Sequence, residues 1–266
     1  MGESVFTADG ELLLPSVHAR GPWDPQALHG GAPAALITAA FERMQPGAEL
    51  RIARLGFEFL RPIPLAPLTL TTQLIRPGRR VQELSAELRA DDQLICRASA
   101  LRVQAIAADA AAAALSGPVA ARLSPPEQGK PVRFALDDGG GASFAASTME
   151  MRWLSDPKLL GPGQVWMRMR HPLLPGEQLT SLSRLAATAD FGNGIGSALS
   201  FKEFVFINAD LTIHLQREPR GEWIGLDAQT LLPEGGSGLA ESVLHDRDGP
   251  VGRAFQTLVV GARQAS

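Results

Sequence analysis

The sequence predicts an α+β protein in which one structural unit is used twice. Three observations point there. An ungapped repeat crosses the chain. With Arg61 set against Arg217 (217 − 61 = 156), Gln73 meets Gln229, Pro77 meets Pro233, Arg97 meets Arg253 and Ala98 meets Ala254. Each half opens on a helical run and continues in short alternating segments broken by turn residues. Between the halves, residues 107–131 ("AADAAAAALSGPVAARLSPPEQGKP") shift to alanine and then to Pro, Gly and Ser, with no β-branched strand pattern.

The elements follow in order. In "LHGGAPAALITAAFERM", residues 28–44, two glycines precede a run with apolar Leu36, Ile37 and Ala40. Pro33 suits a first helical turn, where a missing N–H costs nothing. Strand segments come next: "ARLGFEFLRPI", "LTLTTQLIRPGRRVQELSAELRA" and "QLICRASALRVQAI". Leu68, Leu70 and Thr72 alternate with their neighbours, and "RPG" and "ADD" mark turns. The second half repeats the order, with a helix over 177–190 and then "KEFVFINADLTIHLQRE", "EWIGLDAQTLLPE", "GLAESVLHDRDG" and "GRAFQTLVVGA". "DRDG" reads as a hairpin turn. The expected domains are therefore 1–106 and 144–266, with 107–143 as a linker that ends in the flexible "DDGGGAS".

Composition narrows the function. A chain of 266 residues with 45% hydrophobic and 20% charged residues has an ordinary soluble balance and can bury a sizeable core. A net charge of −3 gives no reason to expect nucleic acid or an anionic membrane as partner. One cysteine, Cys96, excludes an intrachain disulfide framework and a Cys-rich zinc site. The start has no basic region followed by an apolar run, and no stretch is long enough to span a bilayer. The expected compartment is the cytoplasm.

Several motif echoes carry nothing. "DFG" at 190–192 lacks the other kinase signatures, and "GNGIG" at 192–196 follows a helical pattern where a dinucleotide loop follows a strand. No GxSxG elbow is present. The five histidines, His18, His29, His171, His214 and His245, are scattered without an HExxH pair, so no metal site is expected.

Three polar residues look displaced. Leu182, Ala186 and Asp190 fall on one helical face, so Asp190 is a charge where the pattern buries apolar side chains. Either it turns to solvent as the glycines end the helix, or it is a carboxylate held among apolar neighbours as a general base. Gln256 shares a strand face with Ala254, Leu258 and Val260, and Asn208 follows Phe204 and Phe206 on another. Each amide is equally readable as an edge position or a structural hydrogen bond. At the repeat offset, Asp190 meets Ala34, Asn208 meets Ile52 and Gln256 meets Ala100. The polar exceptions fall in one half only, which favours a single working site.

The segments "LHGGAPAALITAA", "FEFLRPIPLAPLTLTTQLIRPGRRVQELSAEL" and "LAATADFGNG" resemble the acyl-CoA thioesterase II-like group of double hot-dog proteins, with "FLRP" and "RPGRR" the most recognisable parts. The resemblance runs from Trp23 to Val260. It implies two antiparallel sheets, each wrapped around a central helix, packed side by side. It implies hydrolysis of an acyl-CoA substrate at an Asp on the second helix, a Ser or Thr on a following strand and a Gln on the last strand. Asp190 and Gln256 match the first and third positions. The second falls on Asn208, which departs from the hydroxyl but still donates and accepts hydrogen bonds. On this reading Asp190 takes a proton from water that Asn208 and Gln256 hold. Backbone N–H groups near Gly30 and Gly31 receive the developing oxyanion. Arg79 and Arg80 either meet the CoA phosphates or form a solvated basic turn. No metal or redox cofactor is required, and a homodimer or higher homo-oligomer is expected. A non-catalytic acyl-CoA-binding protein is the alternative. A hydratase is disfavoured, since the residue five after Asp190 is Ile195 and not a histidine.

Overall fold

Alternation with period two buries one face of most of the long strands and thereby fixes their register against their neighbours. In the computed structural model, which describes residues 3–44, 50–107, 121–132 and 141–263, this produces a single antiparallel sheet of fourteen strands. The first half supplies β1 (Phe6–Asp9), β2 (Leu12–Pro15), β3 (Leu50–Phe59), β4 (Leu68–Arg76), β5 (Val81–Ala90) and β6 (Gln93–Gln104). The rest comes from β7 (Lys130–Pro131), β8 (Met149–Trp153), β9 (Gly163–Met169), β10 (Phe204–Asn208), β11 (Asp210–Leu215), β12 (Ile224–Leu231), β13 (Gly238–Asp246) and β14 (Gly249–Ala262). The order is β1-β2-β4-β5-β6-β3-β11-β14-β13-β12-β9-β8-β7, and β10 pairs with β14 beside β11.

The internal repeat is a repeat of register. Phe57 pairs with Ala98 as Ile213 pairs with Ala254, and Leu70 pairs with Leu88 as Leu226 pairs with Leu244. Irregularities repeat too. The ladder of β3 on β6 slips between Ile52 and Arg54, and in the second half Asn208 faces Leu258 while Thr212 faces Phe255, again with one extra residue. The second slip, between Leu88 and Arg89, recurs between Leu244 and His245. The two expected sheets are one, because β3 and β11 pair edge to edge, Leu55 opposite Ile213. Two unpaired edges at that place would each expose a row of backbone donors and acceptors.

The helices do not keep the repeat offset. α1 spans Gly31–Arg43 and α2 spans Ser181–Ala189, followed by a single turn, α3, at Gly192–Ile195. α2 is shorter than the expected 177–190, because Thr180 caps it by accepting from the Ser183 N–H at 3.0 Å. α1 and α2 lie side by side and antiparallel. Gly31 of α1 meets the Ala187 carbonyl, where a Cβ would come within 2.6 Å. At the other end Arg43 pairs with Glu177. Small residues, Ala32, Ala34 and Ala35 against Ala186, Ala187 and Ala189, are all fully buried and let the two backbones approach. α2 packs on β9, β11, β12 and β13. Within the expected linker, residues 121–132 hold a 3₁₀ turn at Pro126–Gln128 and β7, which pairs with β8; most of the remainder of 107–143 lies outside the described residues. Among the described residues no helix is long and apolar enough to cross a membrane.

Candidate active site

Asp190 does not turn to solvent. It is the C-terminal cap of α2 and is 4% exposed. A carboxylate buried without partners is costly, and its partners come from three elements. Asn208, at the end of β10, donates from Nδ2 to Oδ1 at 2.9 Å. Gln256, on β14 and 1% exposed, donates from Nε2 to the Asp190 carbonyl at 3.1 Å and lies 3.5 Å from Oδ1. His29, just before α1, places Nδ1 2.9 Å from Oδ2. The expected trio of Asp190, Asn208 and Gln256 is thus brought together.

The backbone arranges this. Asn208 precedes the extra residue that separates β10 from β11, and such a bulge re-aims the side chain beside it. Asn208 Nδ2 also reaches the Asp210 carbonyl at 3.2 Å, across that bulge. Gln256 Oε1 accepts from the Asn193 N–H at 2.9 Å. The amide therefore bridges the chain on both sides of Phe191, and it positions Asp190 instead of facing the cavity. Close approach requires glycine at 192, where a Cβ would stand 2.8 Å from Gln256 Oε1.

α1 points its N-terminal end at the same carboxylate. A Cβ on Gly30 would lie 2.8 Å from Asp190 Oδ2. The partial positive charge of a helix start offsets the unfavourable end of α2 on which Asp190 sits. Gly31 donates its N–H to His29 Nδ1 at 3.0 Å, so it is already engaged. His29 Nδ1 faces both that donor and the Asp190 carboxylate. It cannot accept from Gly31 and donate to Oδ2 at once. When Nδ1 carries the proton it donates to Oδ2, and the Gly31 bond is lost. The His29 ring is held by stacking on Phe191, centroids 4.2 Å apart.

This group forms one wall of a cavity of about 420 Å³. Trp23, Leu28, Phe59, Ile63, Phe201 and Ile207 make much of the lining apolar, while His29, Gly30, Asp190, Asn193 and Asn208 supply the polar part. Asp190 keeps lone-pair capacity for one more donor, since an ionised carboxylate accepts about four hydrogen bonds. Arg61, exposed, also lines the cavity.

Arg79 and Arg80 are not brought to the site. They lie exposed in the β4–β5 turn and do not line the cavity. The cation there is Arg61, inside the "FLRP" segment already singled out. His29 was missed because its partner is in the other half of the chain; its one local signal is its place directly before the helix-starting glycines. His29 thus stands beside Asp190 in space although it is far from it in sequence.

Family models describe both halves. The acyl-CoA thioesterase N-terminal domain matches residues 19–107, and the acyl-CoA thioesterase C-terminal domain matches residues 125–260. No curated protein matches the chain in sequence. Among solved structures, it is similar to a conserved protein with hot dog fold from Alicyclobacillus acidocaldarius, at 14% identity and a TM-score of 0.71, over 98% of this chain and 96% of that one. It is also similar to an acyl-CoA thioesterase II from Mycobacterium marinum, at 17% identity and a TM-score of 0.65, over 97% of this chain and 95% of that one. At these identities the structures establish the hot-dog fold.

Proposed function

The chain belongs to the acyl-CoA thioesterase family, and from that premise we propose that it hydrolyses an acyl-CoA thioester to a carboxylic acid and CoA with Asp190 as general base. The observation that carries this reading is a buried carboxylate, held by Asn208, Gln256 and His29, in the wall of a largely apolar cavity. Asp190 takes a proton from water as the water oxygen attacks the thioester carbon. The oxyanion that forms lies toward the start of α1, where Gly30 lines the cavity. The C–S bond then breaks and the proton passes to the CoA sulfur. Asn208 and Gln256 act as positioning residues, and Arg61 meets the CoA phosphates at the opening. The same reading takes residues 1–106 and 144–266 as two hot-dog units, each part of the sheet curved round its own helix.

The test is release of CoA from acyl-CoA esters of graded chain length by the purified chain. Turnover that disappears in Asp190→Asn supports the proposal. Binding without turnover at every chain length would overturn it in favour of an acyl-CoA-binding protein. The His29–Asp190 contact of 2.9 Å favours one second reading. A histidine base and a carboxylic acid in contact can also remove water from a 3-hydroxyacyl thioester. Formation of the enoyl thioester, followed by its ultraviolet absorbance with no CoA released, would establish that reading instead.

A further inference from the structure

Two histidines that acyl-CoA hydrolysis leaves unused meet a carboxylate at the beginning of the chain. His18 lies in the 3₁₀ turn Val17–Ala19 and His171 in the loop after β9, with ring centroids 4.4 Å apart. Glu3, ahead of β1, places Oε2 3.4 Å from His18 Nε2 and 3.9 Å from His171 Nε2. The three ligand atoms lie within 4.8 Å of one another, and among the described residues this is the group of three such side chains that could hold a metal ion.

The tautomer of His18 is fixed by its neighbours. The Ser147 hydroxyl donates to the Ser143 carbonyl at 2.6 Å, so its only proton is committed. It therefore accepts from His18 Nδ1–H at 2.8 Å. In the neutral ring this leaves a lone pair on Nε2, aimed at the Glu3 carboxylate. A lone pair facing a carboxylate is repulsive, and a metal ion between the two removes that repulsion. The two rings are tilted by 36° with their centroids 4.4 Å apart, so one metal ion can satisfy both Nε2 atoms and the carboxylate together. An outer hydrogen bond from the second ring nitrogen is also the usual support of a metal-bound histidine.

The backbones behind these side chains are already tied together. Val5 and Phe6 donate N–H groups to the Pro172 and Leu173 carbonyls at 2.9 and 2.8 Å. The Ser16 hydroxyl donates to the Ser4 carbonyl at 2.7 Å, and the Thr148 hydroxyl to the His18 carbonyl at 2.8 Å. With metal–ligand bonds of about 2.0–2.1 Å, ligand atoms in a tetrahedral site stand roughly 3.3–3.5 Å apart. The Glu3–His18 edge has that length now, and the exposed Glu3 side chain is free to close the 3.9 Å edge to His171.

We propose that Glu3, His18 and His171 bind one divalent first-row transition-metal ion, zinc foremost, which ties the N-terminal strand to the second half of the chain. Two imidazoles and one carboxylate suit Zn²⁺, Ni²⁺ or Cu²⁺ and not the all-oxygen preference of Mg²⁺ or Ca²⁺. Water completes the fourth position.

The test uses the full chain, freed of any affinity tag and dialysed against a chelator. Metal analysis after equilibrium dialysis with ZnCl₂ should find one Zn²⁺ per chain. Zinc at about 100 times its dissociation constant should raise the unfolding midpoint by roughly 5–10 °C, and Mg²⁺ should not raise it. His171→Gln and His18→Ala should each abolish stoichiometric binding, and Glu3→Gln should weaken it at least about tenfold. His214→Ala should leave it unchanged. Should His18→Ala not fold, the His171→Gln result decides, with its metal-free midpoint showing that it folds. Absence of stoichiometric zinc in the wild type, or zinc retained at full affinity by His171→Gln, would overturn the proposal.

Discussion

Replacing Asp190 by Asn separates chemistry from structure at this site. The geometry lets asparagine keep both contacts. Its Oδ1 accepts from Asn208 Nδ2 across the present 2.9 Å, and its Nδ2 takes the place of Oδ2 and donates to His29 Nδ1 across the other 2.9 Å. His29 Nδ1 then accepts, with its one lone pair shared between that amide and the Gly31 N–H. Two charge-assisted bonds become neutral ones, a loss of about 1 kcal/mol each. Against that, a buried charge disappears, which offsets a similar amount. The unfolding midpoint should therefore stay within about 4 °C of the wild type. What asparagine cannot do is take a proton from water. Loss of a general base costs about 10²–10⁴-fold in rate, and the lower figure corresponds to about 2.7 kcal/mol of barrier. Both proteins should be measured for thermal unfolding and for CoA release with a thiol-reactive chromophore. Cys96 adds no background: it is buried, and desolvation, with the charges of Glu58 and Asp190, pushes its thiol up to about 12. An Asn variant that folds and keeps the wild-type kcat would refute the assignment of Asp190 as base.

Four further expectations are open to direct measurement. Gly30→Ala inserts a Cβ 2.8 Å from Asp190 Oδ2, so the carboxylate must move; kcat should fall about tenfold or more, with the fold retained by circular dichroism. Arg61→Ala should raise KM several-fold with kcat unchanged, whereas Arg79→Ala should change neither and Asn208→Ala should lower kcat; an Arg79 effect larger than that of Arg61 would put the CoA phosphates on the β4–β5 turn. Asp246 is buried, which pushes its carboxyl up, but Arg217 at 2.5 and 2.6 Å and the N–H groups of Arg220 and Asp248 outweigh burial and hold it below the ordinary aspartate value. Its contribution is then complete above about pH 3.9 and lost as pH falls through the lowered folded value, so Asp246→Asn should be less stable at pH 7 and the difference should narrow in acid. Glu42 is the opposite case: burial pushes its carboxyl up against the Thr180 and Ser183 hydroxyls that hold it, so Glu42→Gln should match or exceed the wild-type unfolding midpoint at pH 7 and lose that advantage below about pH 4.3.

The strands were legible because their pattern and their pairing obey one constraint. Sliding any strand by a single residue would turn its buried side chains to solvent. The offset that aligns Arg61 with Arg217 therefore also aligns the ladders and even the two bulges. The helices carry no such constraint. The segment from α1 to β3 is shorter than the one from α2 to β10, which contains α3, so α2 begins at Ser181 and Ala34 is not the structural counterpart of Asp190. Joining of the sheets at β3 and β11 was hidden for a different reason. An edge strand and a central strand bury the same face, and only the partner distinguishes them. Asp190, Asn208 and Gln256 could be found because each breaks an apolar pattern. His29 breaks none, since it sits in a loop where polar residues are expected. Arg79 and Arg80 were attractive as a basic pair, yet two charges on a hairpin turn are what a solvated turn normally carries.

The pairing of antiparallel helices explains why a doubled framework holds one site. Each helix ends in a carboxylate that faces the start of the other. Asp190 ends α2 beside Gly30 and α1, and Glu42 near the end of α1 accepts from Thr180 and Ser183 at the start of α2, at 2.6 and 3.0 Å. At the second end the hydroxyl cap of α2 occupies the carboxylate, and Glu42 borders no part of the cavity described above. At the first end the cap position is Gly30, which has no side chain to offer, so the carboxylate stays open to the cavity. The strands complete the difference. Where the second half has Asn208 and Gln256, the first has Ile52 and Ala100, both buried and without a hydrogen bond to give. The same geometry thus yields a structural cap at one end and, at the other, a carboxylate with free lone pairs, the one we propose as the base. The choice is made by a glycine in place of a threonine and by two amides in place of apolar side chains.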